Sequence, residues 1–273
     1  MRVVESVPAA EPSAQAPEFD CTRDSFHRGG FQVLQPLRSG HRAGSDALLL
    51  AAALPPDARG ALADLGAGAG VAGLAALSVN PRLAATLVEF DPQMAQCARL
   101  SLQLPANAAL APRAQVVEAD VTLGGRRRAE AGLADNAFDF VISNPPYYDP
   151  SSERASPDAR RASAHQMVRG DLDAWLRTAA AILKPGGMLC LIWRTERLDE
   201  ALSALRGRFG AIEAMALHPR EGEPAPRIII RSVRGSRAPL RLYPGLVLHE
   251  PDNAPSQIAQ ALLNGQERLP FGR

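Results

Sequence analysis

The chain has 273 residues, of which 46% are hydrophobic and 22% charged, enough to bury the core of one large domain or two small ones. Its 30 basic and 29 acidic side chains leave a net charge of +1, so bulk electrostatics do not indicate a nucleic-acid binder. The longest apolar runs, 47–54 and 71–79, are too short to span a bilayer, and we expect no membrane partner. Three widely separated cysteines, Cys21, Cys97 and Cys190, predict no disulfide framework, no metal site and a cytoplasmic location.

Two regions are expected along the chain. Residues 1–22, rich in Ala, Pro and Glu, predict a disordered N-terminal tail, and residues 23–273 a single domain without an internal linker or repeat. Within the domain, the predicted strands are 61–65, 83–88, 114–117, 137–143, 188–193, 211–217 and 227–233, and the predicted helices 71–79, 92–102, 172–183 and 198–206. This alternation predicts an α/β fold with a mostly parallel twisted sheet and helices on both faces. Ligands of such sheets bind beyond the carboxyl ends of the strands.

A glycine-rich loop follows the first predicted strand, with Asp64 before it and glycines at Gly66, Gly68 and Gly70. Glycine lets the backbone turn sharply and approach a ligand at the N-terminus of the next helix. Glu89 ends the second predicted strand, where its carboxylate can accept hydrogen bonds from two ribose hydroxyls. Asp120 follows the third strand and can accept one from an adenine amino group. Together these residues predict a nucleoside pocket across three adjacent strand ends.

Two cofactors fit this loop. Residues 68–73 also match the GxGxxG pattern of dinucleotide-binding proteins, with Glu89 at a suitable distance beyond. Asp64, directly before the glycines, would repel a pyrophosphate but suits the ammonium group of a methionine moiety. The loop therefore favours S-adenosyl-L-methionine, which carries positive charge and no phosphate. A glycine-rich turn without any ligand is a further alternative.

The fourth predicted strand ends in the sequence FDFVISNPPY, residues 138–147. It brings Asn144 to the carboxyl end of the strand, where Pro145 and Pro146 stiffen the backbone and stop strand pairing. The side-chain oxygen of Asn144 and the carbonyl of Pro145 can both accept hydrogen bonds from one ligand. Tyr147 adds a flat ring for stacking. Two acceptors and a ring fit a planar group that carries an NH2.

An exocyclic amino nitrogen is a poor nucleophile because its lone pair is delocalised into the ring. Fixed acceptors for both N–H bonds favour the pyramidal geometry in which this lone pair is available. Positioning can then promote attack on a sulfonium methyl group without a strong base. The residues predicted to be catalytic are Asn144, Pro145, Pro146 and Tyr147; the alternative is a rigid turn without a catalytic role.

With these motifs, the chain resembles the class I S-adenosylmethionine-dependent methyltransferases that carry an NPPY motif. More narrowly, it resembles the bacterial tRNA adenine-N6 methyltransferases that act on valine tRNA. The resemblance spans about residues 26–249, and its specific parts are 35–50, 64–70, 144–150, 184–198 and 242–249. It implies a Rossmann-like fold, S-adenosyl-L-methionine as cofactor and methyl transfer to N6 of an adenine in tRNA.

The resemblance also implies roles for individual residues. The glycine loop with Asp64, Glu89 and Asp120 would hold the cofactor, Gly44 and Asp46 would lie near its methionine end, and Asn144 would contact both cofactor and target base. Arginine-rich segments adjoining the pocket are candidates for phosphate contacts, which position a nucleic acid without reading its sequence. The RNA-binding candidates are Arg154, Arg160, Arg161, His165, Arg220 and Arg227. A solvated surface is the alternative for each cluster, and a solvated turn is expected for residues 126–128.

Three other functions fit parts of the pattern. N5-methylation of a glutamine in a protein such as a release factor uses the same NPPY pocket, but we expect a separate helical substrate domain in such enzymes. Guanine-N2 methylation of ribosomal RNA is usually accompanied by Phe at the position of Tyr147. A binding module without activity would tolerate the loss of Asp64, Glu89 or Asn144, and all three are present. The sequence does not indicate an oligomeric state.

Overall fold

Ten strands and seven α-helices form in residues 19–37, 44–146 and 171–272, the part of the chain that the computed structural model describes. The strands are β1 (Cys21–Phe26), β2 (Phe31–Pro36), β3 (Gly60–Leu65), β4 (Leu83–Glu89), β5 (Ala114–Glu118), β6 (Phe138–Ser143), β7 (Leu183–Arg194), β8 (Phe209–His218), β9 (Arg227–Arg234) and β10 (Arg241–Val247). The helices are α1 (Ser45–Ala52), α2 (Val71–Val79), α3 (Pro92–Leu102), α4 (Gly125–Glu130), α5 (Asp171–Ile182), α6 (Leu198–Leu205) and α7 (Gln257–Leu263).

Eight strands form the main sheet, in the order β10-β8-β9-β7-β6-β3-β4-β5. All of its neighbours pair in parallel except β9, which runs antiparallel to both β7 and β8. From β3 the chain builds outward through β4 and β5, then returns to the other side of β3 with β6. The order of the strands therefore reverses between β3 and β6, and ligands of open parallel sheets bind at such a reversal.

Helices cover both faces of this sheet, because buried strand residues alternate between two apolar clusters. Leu62 packs with residues of α1, α2 and α3, whereas its neighbour Ala63 packs with residues of α5 and α6. In β7, Cys190 joins the first cluster and Leu191 the second. This arrangement confirms the predicted mostly parallel sheet with helices on both faces.

A separate antiparallel hairpin, β1–β2, precedes the main sheet. Its first strand includes Cys21 and Thr22, which the sequence analysis placed in the tail; residues 1–18 lie outside the described residues. Side chains after and within α3 hold the hairpin: Asn107 pairs with the backbone of Gln32 at 3.0 and 2.6 Å, and Ser101 Oγ accepts from the Leu34 N–H at 2.8 Å. The strand forms there because distant side chains satisfy its backbone.

Residues 126–128 do not form the expected solvated turn. They belong to α4, and the Arg128 side chain is buried, with its guanidinium donating to the Leu133 carbonyl and to Asp135. A buried guanidinium is tolerated because these acceptors satisfy its donors. Arg126 and Arg127 are exposed, and the expectation of a solvated side chain fails at Arg128, because acceptors five and seven residues further along the chain bind its guanidinium.

A buried polar network joins β8, β9 and β10 near the C-terminus. Arg231 Nη2 lies 2.8 Å from Glu213 Oε2, and both side chains are at most 15% exposed. Tyr243 donates to Glu213 Oε1 at 2.8 Å and accepts from the Gly272 N–H at 3.1 Å. The guanidinium of Arg231 also lies 4.7 Å from the ring centroid of Phe271. The network therefore ties the end of the chain to one edge of the sheet.

We expect Glu213→Ala to destabilise the protein by about 3 kcal/mol, because it leaves the buried Arg231 guanidinium without its charge partner. The matched control is Glu130→Ala, which breaks an exposed ion pair with Arg126 at 2.7 Å and should cost less than about 0.5 kcal/mol. Urea unfolding of the two variants and the parent chain measures both changes. Equal losses would contradict the assignment of Glu213 to a buried pair.

Candidate active site

The loop between β3 and α2 is a tight left-handed turn at the point where the strand order reverses. Gly66, Gly68 and Gly70 have φ angles of +74°, +57° and +90°, which glycine adopts without strain. The N–H groups of Gly66 and Ala67 both donate to the Val88 carbonyl at 2.9 Å. The loop is thereby fixed to the end of β4 and leads directly into α2.

Asp64 lies beneath this loop and is only 2% exposed. Its Oδ2 accepts a hydrogen bond of 2.8 Å from the N–H of Gly73, in the first turn of α2. Burial raises the pKa of Asp64 to about 7; the bond from Gly73 opposes this shift and the charge of Glu89 adds to it. A Cβ at Gly73 would lie 2.2 Å from Leu87 Cδ2, so a larger residue there would have to displace that leucine side chain. Asp64 therefore anchors the helix and titrates near neutral pH.

Glu89 ends β4 with its carboxylate already bound to the backbone. Its Oε2 accepts from the Gly68 N–H at 2.7 Å, and its Oε1 accepts from the N–H groups of Phe90 and Asp91, both at 2.8 Å. Burial raises the pKa of Glu89, and these three bonds oppose the shift. A carboxylate has about four acceptor sites, and the three bonds leave about one, on Oε2. Glu89 can therefore hold the loop in place and still accept from a ligand hydroxyl.

Phe90 is a residue that the sequence analysis did not select. Its side chain is 47% exposed at the end of β4, directly after Glu89. An exposed aromatic ring at the carboxyl edge of a parallel sheet offers a stacking surface for a planar ligand. The sequence signal that could have identified Phe90 is an aromatic residue directly after Glu89, the acidic residue that ends the strand.

Asp120 lies beside Glu89 at the next strand end. The Ala119 N–H donates to the Glu89 carbonyl at 3.0 Å, which continues the pairing of β4 with β5. Asp120 Oδ1 accepts from the N–H and the hydroxyl of Thr122, at 2.8 and 2.7 Å. Within the described residues its Oδ2 has no hydrogen-bond partner, so this oxygen is open to a donor. The three predicted acidic residues therefore lie at the ends of three adjacent strands.

The Asn-Pro-Pro segment adjoins the glycine loop. Leu65 of β3 pairs with Ser143 of β6. Gly66 and Asn144 are the next residues on these two strands, which lie about 4.8 Å apart. Asn144 is half-buried, Pro145 is buried and Pro146 is exposed. The backbone of the Asn-Pro-Pro segment therefore begins beside that of the glycine loop, at the same edge of the sheet.

Trp175 of α5 fixes this junction from below. Its Nε1 donates to Ser143 Oγ at 2.9 Å, and Ser143 Oγ in turn donates to the Leu65 carbonyl at 2.8 Å. The ring packs so closely under the loop that a Cβ on Gly66 would lie 3.0 Å from Trp175 Cζ2. One tryptophan therefore contacts both strand ends at the junction.

The remaining candidates divide into two groups. Gly44 precedes α1, and Asp46 in its first turn has its Oδ2 3.2 Å from Arg227 Nε at the start of β9. Arg220 pairs with Glu223 at 3.0 Å and also contacts Asn253. The others lie outside the described residues: Tyr147, Arg154, Arg160, Arg161 and His165.

Two negative findings apply to residues 19–37, 44–146 and 171–272. No set of three or more His, Cys, Asp or Glu side chains in these ranges is grouped to hold a metal ion. No helix in the same ranges combines the length and the apolar character needed to cross a bilayer.

Known proteins resemble this chain in sequence and in structure. A tRNA1(Val) (adenine(37)-N6)-methyltransferase of Dickeya chrysanthemi is 27% identical over 251 residues, which cover 87% of this chain and 94% of that protein. The enzyme of the same name from Porphyromonas gingivalis is 31% identical, and the match spans 58% of this chain and 61% of that protein. A crystal structure titled as a predicted O-methyltransferase from Agrobacterium tumefaciens is 40% identical, with a TM-score of 0.71, and covers 82% of this chain and 97% of that one.

These matches confirm the resemblance and the fold class inferred from the sequence. Residues 39–220 also match the methyltransferase small domain family. This range contains the glycine loop, the three acidic strand ends and the Asn-Pro-Pro corner, so the match includes every described element of the candidate site except Arg227. The chain therefore belongs to the methyltransferase small domain family.

Proposed function

We propose that this chain transfers the methyl group of S-adenosyl-L-methionine to the exocyclic N6 amine of an adenine in tRNA. The observation that carries the proposal is the junction of β3 and β6, which brings the Asn144-Pro145 acceptors beside the glycine loop. The tRNA adenine-N6 methyltransferases among the relatives support the choice of substrate. A tRNA substrate also favours a cytoplasmic location.

The donor set at the strand ends fits the cofactor. Glu89 Oε2 would accept from one ribose hydroxyl, Asp120 Oδ2 from the adenine amine, and Phe90 would stack on the adenine. The carboxylates of Asp64, Glu89 and Asp120 would repel the pyrophosphate of a dinucleotide, whereas a sulfonium compound with an ammonium group would be attracted. The loop glycines Gly66, Gly68 and Gly70 allow close approach, and Gly44 stays a predicted neighbour of the methionine end.

When bound, this cofactor supplies an electrophilic methyl group. The chain's own residues position the acceptor: Asn144 Oδ1 and the Pro145 carbonyl would each accept one N–H of the adenine amine, and Tyr147 would stack on the base. Two fixed acceptors weaken the conjugation of the amine and aim its lone pair at the methyl group. Pro145 and Pro146 keep this geometry because they restrict the backbone. Positioning and preorganised dipoles therefore do the catalytic work.

The substrate class can be tested with radiolabelled S-adenosyl-L-methionine and separate pools of tRNA, rRNA and protein from a strain that lacks this chain. We expect label only in tRNA, recovered after digestion as N6-methyladenosine. Label in a protein glutamine, in rRNA guanine N2 or in a ribose 2′-O-methyl group would overturn the proposal.

We expect Asn144→Ala to abolish methyl transfer, because it removes one of the two acceptors that orient the amine. The affinity for S-adenosyl-L-methionine should change by no more than a few fold, as measured by titration calorimetry. Asn264→Ala, at the end of α7, is the matched control and should leave both quantities unchanged. Equal losses of activity and cofactor affinity in Asn144→Ala would assign this side chain to the cofactor site alone.

The pKa of Asp64 predicts a pH-dependent cofactor affinity. This carboxyl group, with its pKa raised to about 7, is largely protonated at pH 6 and ionised at pH 8. Only the ionised form attracts the ammonium group, so the dissociation constant should fall about tenfold between these pH values and then level off.

Asp64→Asn should remove that part of the pH dependence, because an amide does not titrate. Glu89→Gln should weaken binding but keep the dependence, with a slightly lower midpoint, since Glu89 contributes to raising the pKa of Asp64. Calorimetric titrations of the three proteins across pH 5.5–8.5 make the comparison. An unchanged pH profile in Asp64→Asn would contradict the assignment.

A further inference from the structure

A cavity of about 290 Å³ lies at the carboxyl edge of the sheet, where β8, β9 and β10 meet the start of α1. It is on the half of the sheet opposite to the three acidic strand ends. Its lining includes a charged pair, two prolines, a leucine and a histidine: Asp46, Arg227, Pro219, Pro226, Leu248 and His249. The volume is at the small end of ligand sites, enough for one planar ring system.

The walls combine apolar faces with a polar end. Pro219, Pro226 and Leu248 provide flat or aliphatic surface, and His249 Nδ1 is held 3.2 Å from the Pro219 carbonyl. Asp46 Oδ2 is bonded to Arg227, but its Oδ1 has no hydrogen-bond partner within the described residues. A nucleobase has the matching chemistry, since its faces are apolar and its edge carries N–H donors and acceptors. Asp46 disfavours a phosphate at the same place.

The nearest wall of the cavity lies two strands away from the corner that would hold the target amine. The strand β6 ends at that corner, β7 is its neighbour, and β9 begins at Arg227 in the cavity wall. Two strand spacings amount to about 10 Å. The Thr195 N–H, just after β7, donates to the Pro226 carbonyl at 3.2 Å, which connects the end of β7 to the cavity. A neighbouring nucleotide of an unpaired strand can cover this distance when its base is splayed out.

We propose that this cavity binds the base of an unpaired nucleotide flanking the methylated adenine. The base lies between the proline walls and Leu248, and an N–H on its edge donates to Asp46 Oδ1. The inference rests on the proposed function, and it names the part of the substrate that reaches beyond the reaction centre. It assigns Arg227, an RNA-binding candidate from the sequence, to this base site. It also assigns the Asp46 side chain, which the resemblance placed near the methionine end of the cofactor, to RNA binding.

The first test fills the cavity. In Leu248→Trp the indole occupies the space of the base, so the KM for tRNA from the deletion strain should rise at least tenfold. The kcat and the dissociation constant of S-adenosyl-L-methionine should stay within about threefold. Leu240→Trp adds the same ring to an exposed position before β10, outside this cavity, and should change none of the three values. An unchanged KM in a folded Leu248→Trp would overturn the inference.

A second variant keeps the volume and removes the charge. Asp46→Asn should change the ratio of KM values among RNA hairpins that differ only in the nucleotide flanking the target adenine, with cofactor affinity unchanged. A tenfold loss of cofactor affinity would instead return this side chain to the cofactor site and overturn its role here. This variant decides the question even if Leu248→Trp fails to fold.

Photo-crosslinking gives a readout that does not depend on turnover. Hairpins with 4-thiouridine beside the target adenine should crosslink to peptides that contain residues 217–227 or 248–249. Crosslinks confined to other peptides would overturn the base site while methylation of tRNA by the unmodified chain would still support the proposed function. If that chain labels no RNA at all, the proposed function fails, and the base site fails with it.

Discussion

The pairing of β3 with β6 is the constraint on which the candidate site depends. Its register brings Gly66 and Asn144 to adjacent positions, one at the start of the glycine loop and one at the start of the double proline. Ser143 and Trp175 lock this register with two hydrogen bonds. A shift by one residue would reverse the faces of β6 and turn Asn144 away from the loop. The reaction that we propose thus depends on a backbone alignment rather than on an acid or a base.

The acidic strand ends show how the protein holds negative charge in a partly buried pocket. Asp64 and Glu89 accept hydrogen bonds from the backbone N–H groups of the very turns that they support, and these bonds offset part of the cost of burial. The remaining cost is visible in their raised pKa values. A cationic ligand would remove that cost by compensating the charge. The pocket is therefore electrostatically prepared for a sulfonium and ammonium compound before any such compound arrives.

The sequence predicted those parts of the molecule that have local signals. The bounds of α2 and α3 agree with the predicted 71–79 and 92–102, because the glycine turn starts one helix and Asp91 with Pro92 starts the other. The hairpin β1–β2 was missed because Ser101 and Asn107, far away in the chain, complete it. The strand β7 begins at Leu183, five residues before the start of the predicted strand 188–193. In the site, strand-end residues were predictable, whereas Trp175 beneath Gly66 and Arg227 beside Asp46 are tertiary contacts without a local pattern.

The reversed direction of β9 has a consequence for how this scaffold can diversify. The other strands of the sheet bring their C-terminal ends to the edge that holds the candidate site. Because β9 runs in the opposite direction, it brings its first residue, Arg227, to that edge. The connection that leads into it, residues 219–226, therefore lies at the same edge of the sheet as the candidate site. Changes of length or composition in this connection leave β3, β4 and β5 untouched. Related enzymes can on this view acquire a new selectivity while their methyl-donor site stays constant.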